Sequence, residues 1–350
     1  MAEFLFILLC SLWFLALFVW GFRFLPRERW QIFAVIPYRK ATSGHWHGTN
    51  LTFYGFLVAC STVTGVLFAL ILLQSVSIFL PGVLMVLLFI FSVSIPASRI
   101  MARLVENKRH TFTVGGAFFC GLLLGPLSTV AVNKFLRYAG YPEIDMMALL
   151  AALSIGYTLG EGLGRLACVS FGCCYGKPLK ECSRITRVLF GRFFFVFTGA
   201  TKKAVYEGAL EGERLLPIQG ITCLLNTAIA MVSAYLFLKA QYVEAFLLSL
   251  IVSQVWRIIS ETLRLDFRGF GTISVYQKMS LAALPYILIL AHLVPPPTLP
   301  DPSIIQGLSI FVQPVPMISI QLLWGILFWV FGRSKVTSSR VSFQVIQEHI

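Results

Sequence analysis

Stretches of about 20 apolar residues recur along this chain, from "FLFILLCSLWFLALFVW" near the start to "ISIQLLWGILFWVF" near the end. That length crosses the roughly 30 Å hydrocarbon layer of a bilayer as an α-helix. No water is present there to satisfy exposed backbone groups, so only helices and closed barrels can cross it. The runs are continuous rather than alternating, which excludes a barrel. With 57% hydrophobic and 12% charged residues over 350 positions, the chain also has too little charge to cover a soluble surface of that size. The expected fold class is an all-α polytopic membrane protein with about nine transmembrane helices. They fall near 4–24, 52–74, 79–98, 112–133, 146–166, 217–238, 241–260, 279–295 and 306–332. The first run lacks a basic leader and a small-residue cleavage site, so it reads as a retained helix rather than a removed signal.

Between spans five and six, residues 167–216 are rich in Lys, Arg, Gly and Glu. The stretch is too long for a turn, so a small extramembrane cap is expected. Three regions follow: 1–50, an extra span and a polar loop; 51–295, the membrane core; and 296–350. The last comprises the stiff connector "LVPPPTLPDPS", a final span and a polar tail expected to be mobile. The net charge of +13 sits in loops and helix ends, where anionic lipid headgroups are the nearest partners. No motif for nucleic acid accompanies it.

Ionisable groups within spans are costly and mark function by default. In "SQVWRIISETLRLDF", Arg257, Glu261 and Arg264 share one helix face at i, i+4 and i+7. A carboxylate between two guanidiniums would leave arginine forks free for a phosphate, or form a structural ladder. In "LGEGLGRLAC", Glu161 and Arg165 are another i, i+4 pair beside Gly160, Gly162 and Gly164. Those glycines suit either a close helix crossing or a backbone opened around a ligand. Arg99 follows Pro96 and suits snorkelling to a headgroup. Tyr54 and the pair Gly115–Gly116 lie at span starts, where a belt tyrosine and a close helix approach are equally natural.

Four of the eight cysteines cluster at 168, 173, 174 and 182. Their spacing fits no established metal template, and no metal or cofactor is expected. A disulfide from Cys182 to Cys173 or Cys174 would require an oxidising compartment. His45 and His47, two apart in a polar loop, read as solvated.

Taken together, these segments resemble the bacterial prolipoprotein diacylglyceryl transferase family. The most specific block is "GRLACVSFGCCYG" at 164–176, similar to that family's signature. Around it, in the family's order, stand "FYG" at 53–55, "ASRI" at 97–100 and "GGAFFCG" at 115–121. "LPIQG" at 216–220, "WRIISETLR" at 256–264 and "ISVYQKMSL" at 273–281 complete the set. The resemblance covers about 52 to 295 and omits the first and last spans.

It implies transfer of diacylglycerol from phosphatidylglycerol to the lipobox cysteine of an exported lipoprotein precursor, whose signal peptide would be the protein partner. Arg165 and Arg257 would face the phosphate, with Glu261 holding Arg257 and Arg264 in place. Tyr54, Arg99, Gly115, Gly116, Gln219 and Arg264 would line the substrate site. The chain departs from the pattern at Val114, where the family usually has histidine or tyrosine. His110, one turn earlier, is the expected substitute. Cys168 and Cys173 stand where the signature usually has asparagine and glutamate.

The resemblance also implies a bacterial inner-membrane location with the signature loop on the exported side. Loop charge points the other way: the connections after spans one, three, five, seven and nine hold most Lys and Arg, which would place them in the cytoplasm. Two alternative functions stand beside the transferase. One is a catalytically silent relative that binds anionic lipid or a partner protein. The other is a thiol-redox enzyme built on Cys173 and Cys174.

Overall fold

The computed structural model describes residues 1–106, 114–266 and 273–350. Eight of its helices are long and apolar enough to cross a membrane: α1 (Ala2–Phe24), α2 (Phe53–Gln74), α3 (Leu80–Glu106), α4 (Val114–Tyr138), α5 (Met146–Phe171), α8 (Ile218–Phe237), α9 (Tyr242–Leu263) and α12 (Pro314–Gly332). The short helices α6 (Arg184–Phe190) and α7 (Lys203–Tyr206) lie in the cap. The expected ninth span forms α10 (Val275–Leu293), followed by the short α11 (Ile304–Leu308). α10 is helical as expected, but Gln277 and Lys278 in its first turn leave it less apolar than the other eight. The all-α polytopic class holds, with eight rather than nine helices meeting the membrane criterion among the described residues.

The middle helix of the bundle is α5. Its most apolar window is 78% buried, against 17% for α1, so α5 is the central post and α1 an outer one. Small residues explain this. Gly156, Gly160 and Gly164 recur every fourth position and form one face. A Cβ on Gly65 of α2 would run into the Gly156 carbonyl, and a Cβ on Gly160 would lie 3.3 Å from the Ser61 carbonyl oxygen. Backbone therefore meets backbone where α2 crosses α5. On the opposite side, Gly162 faces α8, where a Cβ would lie 2.7 Å from Thr227 Oγ1.

Two expectations for polar segments are corrected. The loop before α2 and the tail after α12 pair into an antiparallel sheet ordered β1 (Ile32–Lys40), β2 (Trp46–Thr52), β3 (Arg333–Val341). The tail is thus a strand over its first nine residues, with His47 opposite Arg340 and Trp46 opposite Val341. Buried Asn50 anchors the pairing by donating to Thr337 Oγ1 (3.1 Å) and accepting from Ser339 Oγ (2.5 Å). Thr52 accepts from the Gly55 amide, capping α2, and donates to the Gly332 carbonyl.

The cap begins where α5 ends. Gly172 is left-handed (φ +71°), and the Cys173 amide returns to the Cys168 carbonyl at 3.1 Å. That is the reversal glycine commonly produces at a helix C-terminus. Cys174 is also left-handed (φ +57°), which tightens the turn further. The turn then bonds to the end of α9 through Lys177 N–H to Leu263 O and Leu265 N–H to Tyr175 O. Sheet, cap and the C-terminal end of α9 therefore share one end of the bundle.

Candidate active site

Tyr157, Glu161 and Arg165 lie at four-residue intervals and project from one face of α5. Tyr157 donates to Glu161 Oε2 at 2.5 Å, and Arg165 Nη2 donates to Oε1 at 2.7 Å. Arg257 enters from α9, donating through Nη2 to the same Oε1 and, at 2.8 Å, to the Tyr157 hydroxyl oxygen. One carboxylate thus gathers two guanidiniums from two helices. The side chains of Glu161 and Arg257 are only 4% and 8% exposed, and Arg165 is 16% exposed. Burying a charge without partners costs several kcal/mol, so this grouping is a condition for the three charges to be there at all.

α4 completes the wall. A Cβ on Gly115 would lie 2.9 Å from Arg257 Nη1 and 2.8 Å from the Tyr276 ring. Glycine is what lets the guanidinium fit against that helix. Phe118, one turn on, stacks at 4.5 Å from the Tyr157 ring and lies 5.8 Å below the Arg257 guanidinium. The cluster carries two positive charges and one negative, a net +1 in a dry interior. It also has unused capacity. Among the described residues, Arg165 Nε and Gln219 Oε1 are buried without a hydrogen-bond partner. Buried polar groups are nearly always paired, so the unused N–H of Arg165 leaves the cluster capacity for a further acceptor.

The remaining residues named from sequence are placed as follows. Gln219, in the first turn of α8, is buried and donates to the Cys173 carbonyl at 2.8 Å. Tyr54 opens α2 and packs on Phe171 at the end of α5, ring centroids 5.5 Å apart. Gly116 is buried on α4, and Arg99 is exposed on α3. His110 lies outside the described residues.

Glu261 requires a correction for Arg257, whereas its expected pairing with Arg264 is present. The carboxylate that holds Arg257 is Glu161, while Glu261 pairs with Arg264 Nη1 at 3.1 Å. Arg264 is in turn bound by Asp266 through two parallel bonds of 2.8 Å. Three of its five N–H groups are thus engaged by two carboxylates. Helical spacing alone made Glu261 and Arg257 neighbours, and tertiary packing supplied Arg257 with a better-buried anion. Tyr157 was missed, although its position four residues before Glu161 on a face already carrying the pair is a readable signal. The Cys182 disulfide is also corrected: none of the eight cysteines is disulfide-bonded, and the Cys182 thiol lies 3.5 Å from the Pro178 carbonyl oxygen.

A family model described as prolipoprotein diacylglyceryl transferase matches residues 45–293, well over half of the chain. The chain belongs to this family. The phosphatidylglycerol–prolipoprotein diacylglyceryl transferase of Clostridium tetani (strain Massachusetts / E88) is 26% identical over 180 residues, 51% of this chain and 64% of that enzyme. The alignment thus spans less than two thirds of the relative's length. Every member of the arginine–glutamate cluster lies inside the region matched to prolipoprotein diacylglyceryl transferases. Helix α1, strand β1, α11, α12 and β3 lie outside it.

Proposed function

We propose that this protein transfers the diacylglyceryl group of phosphatidylglycerol to the thiol of a lipobox cysteine in a lipoprotein precursor, in a bacterial inner membrane. The observation that carries this reading is the convergence of Arg165 and Arg257 on Glu161, with a net charge of +1 and a spare buried N–H on Arg165. A phosphodiester headgroup carries one negative charge and acceptor oxygens, which complements that cluster. In the reaction the precursor sulfur attacks the glycerol carbon of the lipid. A carbon–sulfur bond forms, the carbon–oxygen bond to phosphate breaks, and glycerol phosphate leaves with the electron pair. The thiol proton is balanced by the phosphate monoester product or solvent.

Charge therefore accumulates on the phosphate oxygens as the bond breaks. Guanidinium N–H groups fixed in a water-excluded site stabilise that charge without reorganising. Tyr157 and Glu161 hold the two forks in place, and Gly115 leaves room for Arg257. Gln219 offers its free acceptor to a hydroxyl of the glycerol headgroup. Tyr54 and Gly116 bound the same region, and Arg99 on α3 suits a headgroup on its way in. We assign Arg264 to holding the cap turn against α9 rather than to substrate.

The test uses purified protein in detergent, phosphatidylglycerol labelled in its diacylglycerol part, and a lipobox peptide. Label should appear on the peptide thiol, and Arg165→Ala should reduce the rate by about 10²–10³-fold, as removal of one transition-state donor does elsewhere. Binding of anionic lipid that depends on Arg165, with no transfer under any condition, would replace the enzyme reading with that of a lipid-binding relative.

A further inference from the structure

The reversal at the end of α5 has a second result, apart from the arginine cluster. By returning the chain through Gly172, it brings the sulfurs of Cys168, Cys173 and Cys174 within 4.8 Å of one another. The Cys173 and Cys174 sulfurs stand 3.9 Å apart. A tetrahedral ion with metal–sulfur bonds of about 2.3 Å needs sulfurs about 3.8 Å apart, and a three-coordinate ion needs slightly more. The linear spacing hid this arrangement, because the positive-φ turn, not the count of intervening residues, sets the distances.

We propose that Cys168, Cys173 and Cys174 form a three-thiolate site for a soft metal ion, Zn2+ or Cu+. On binding, three S–H groups release their protons to solvent and three metal–sulfur bonds form, with no change of oxidation state. Thiolate donors select such ions over hard ones. Three thiolates and a divalent ion sum to −1, and cations surround them. Arg165 lies three residues before Cys168 on α5, and Arg264 pairs through its backbone with Gly176, two residues after Cys174. Gln219 donates to the Cys173 carbonyl at 2.8 Å and so fixes the turn that carries two of the three sulfurs. Bound metal would pin the C-terminal end of α5 to the turn that pairs with α9.

The experiment uses the full chain, reduced and metal-free in detergent, and its readouts are independent of lipid transfer. Titration with Co2+ as a spectroscopic stand-in should give thiolate-to-metal charge-transfer absorption saturating at one ion per chain. Zn2+ should bleach it, and Cu+ competition ranks the two ions. Cys168→Ser, Cys173→Ser and Cys174→Ser should each weaken binding at least tenfold, while Cys182→Ser should leave it unchanged. Since a serine variant can fail by misfolding, a second measurement uses the unaltered protein. Zn2+ should protect those three cysteines, and not Cys182, from alkylation read by mass spectrometry. Absence of the charge-transfer band, a band that survives the Cys173 and Cys174 substitutions, or equal alkylation with and without Zn2+ would each overturn the site.

Discussion

Glu161 is the shared partner of three side chains. Its carboxylate pairs with two guanidiniums from two helices and accepts from a tyrosine. Glu161→Gln keeps the shape and removes the charge, leaving Arg165 and Arg257 facing each other without an anion. Losing one partner of a buried ion pair costs about 3–5 kcal/mol. A corresponding drop in thermal stability in detergent is expected, with partial recovery when phosphatidylglycerol is added. Lys202 is a different case. Its Nζ is fully enclosed and donates to the carbonyls of Leu25 (3.0 Å) and Ser170 (2.5 Å), which uses both N–H groups of a neutral amine. Burial pushes its pKa down to about 7, partly offset by the Glu28 charge. Between that value and the ordinary lysine range the unfolded chain binds the extra proton. Folding stability should therefore rise with pH from about 7 to 10, by roughly 1 kcal/mol per pH unit at most. Lys202→Met should flatten that slope in a melting series.

At the scale of elements, the α2–α5 crossing depends on missing side chains. Any Cβ at Gly65 or Gly156 meets opposing backbone, which cannot rotate away as a side chain could. Gly156→Leu should force the two helices apart, cost about 1–3 kcal/mol or more as overpacking does, and lower the yield of folded protein. The same displacement would tilt the Tyr157–Glu161–Arg165 face away from Arg257, so transfer should fall by a larger factor than stability alone explains. Comparing initial rates per folded molecule separates the two. A milder probe is Gly172→Ala, which places a Cβ in the left-handed region at about 1–2 kcal/mol and loosens the cap turn while leaving the arginines in place. It should lower the melting temperature by a few degrees with most of the rate retained.

On the scale of the whole molecule, the two ends of the bundle differ. The end with the sheet and cap carries most of the basic residues, several of them laid over aromatic rings, as with Arg23 and Arg27 over Phe24 and Arg29 over Trp30. Loop charge by itself would place that end in the cytoplasm, whereas the proposed chemistry needs it on the exported side, where precursors emerge. Ser183 is exposed in the cap. Ser183→Cys should react with a membrane-impermeant maleimide in intact spheroplasts, and reaction only after lysis would reverse the orientation.

Eight of the nine long apolar helices and the Glu161–Arg165 pair were readable from the order of residues, because each is a local consequence of hydropathy or helical period. The β-sheet was not, since its strands are polar, alternate weakly and meet across nearly 290 positions of chain. Nor was the partner of Arg257, because which anion reaches a guanidinium depends on how α5 and α9 lie against each other. Sequence determined where the long apolar helices lie and which charges fall within them. Tertiary structure decided which of those charges share a single carboxylate and which thiols come into contact, because long-range packing, unlike periodicity, depends on where glycine lets two backbones touch.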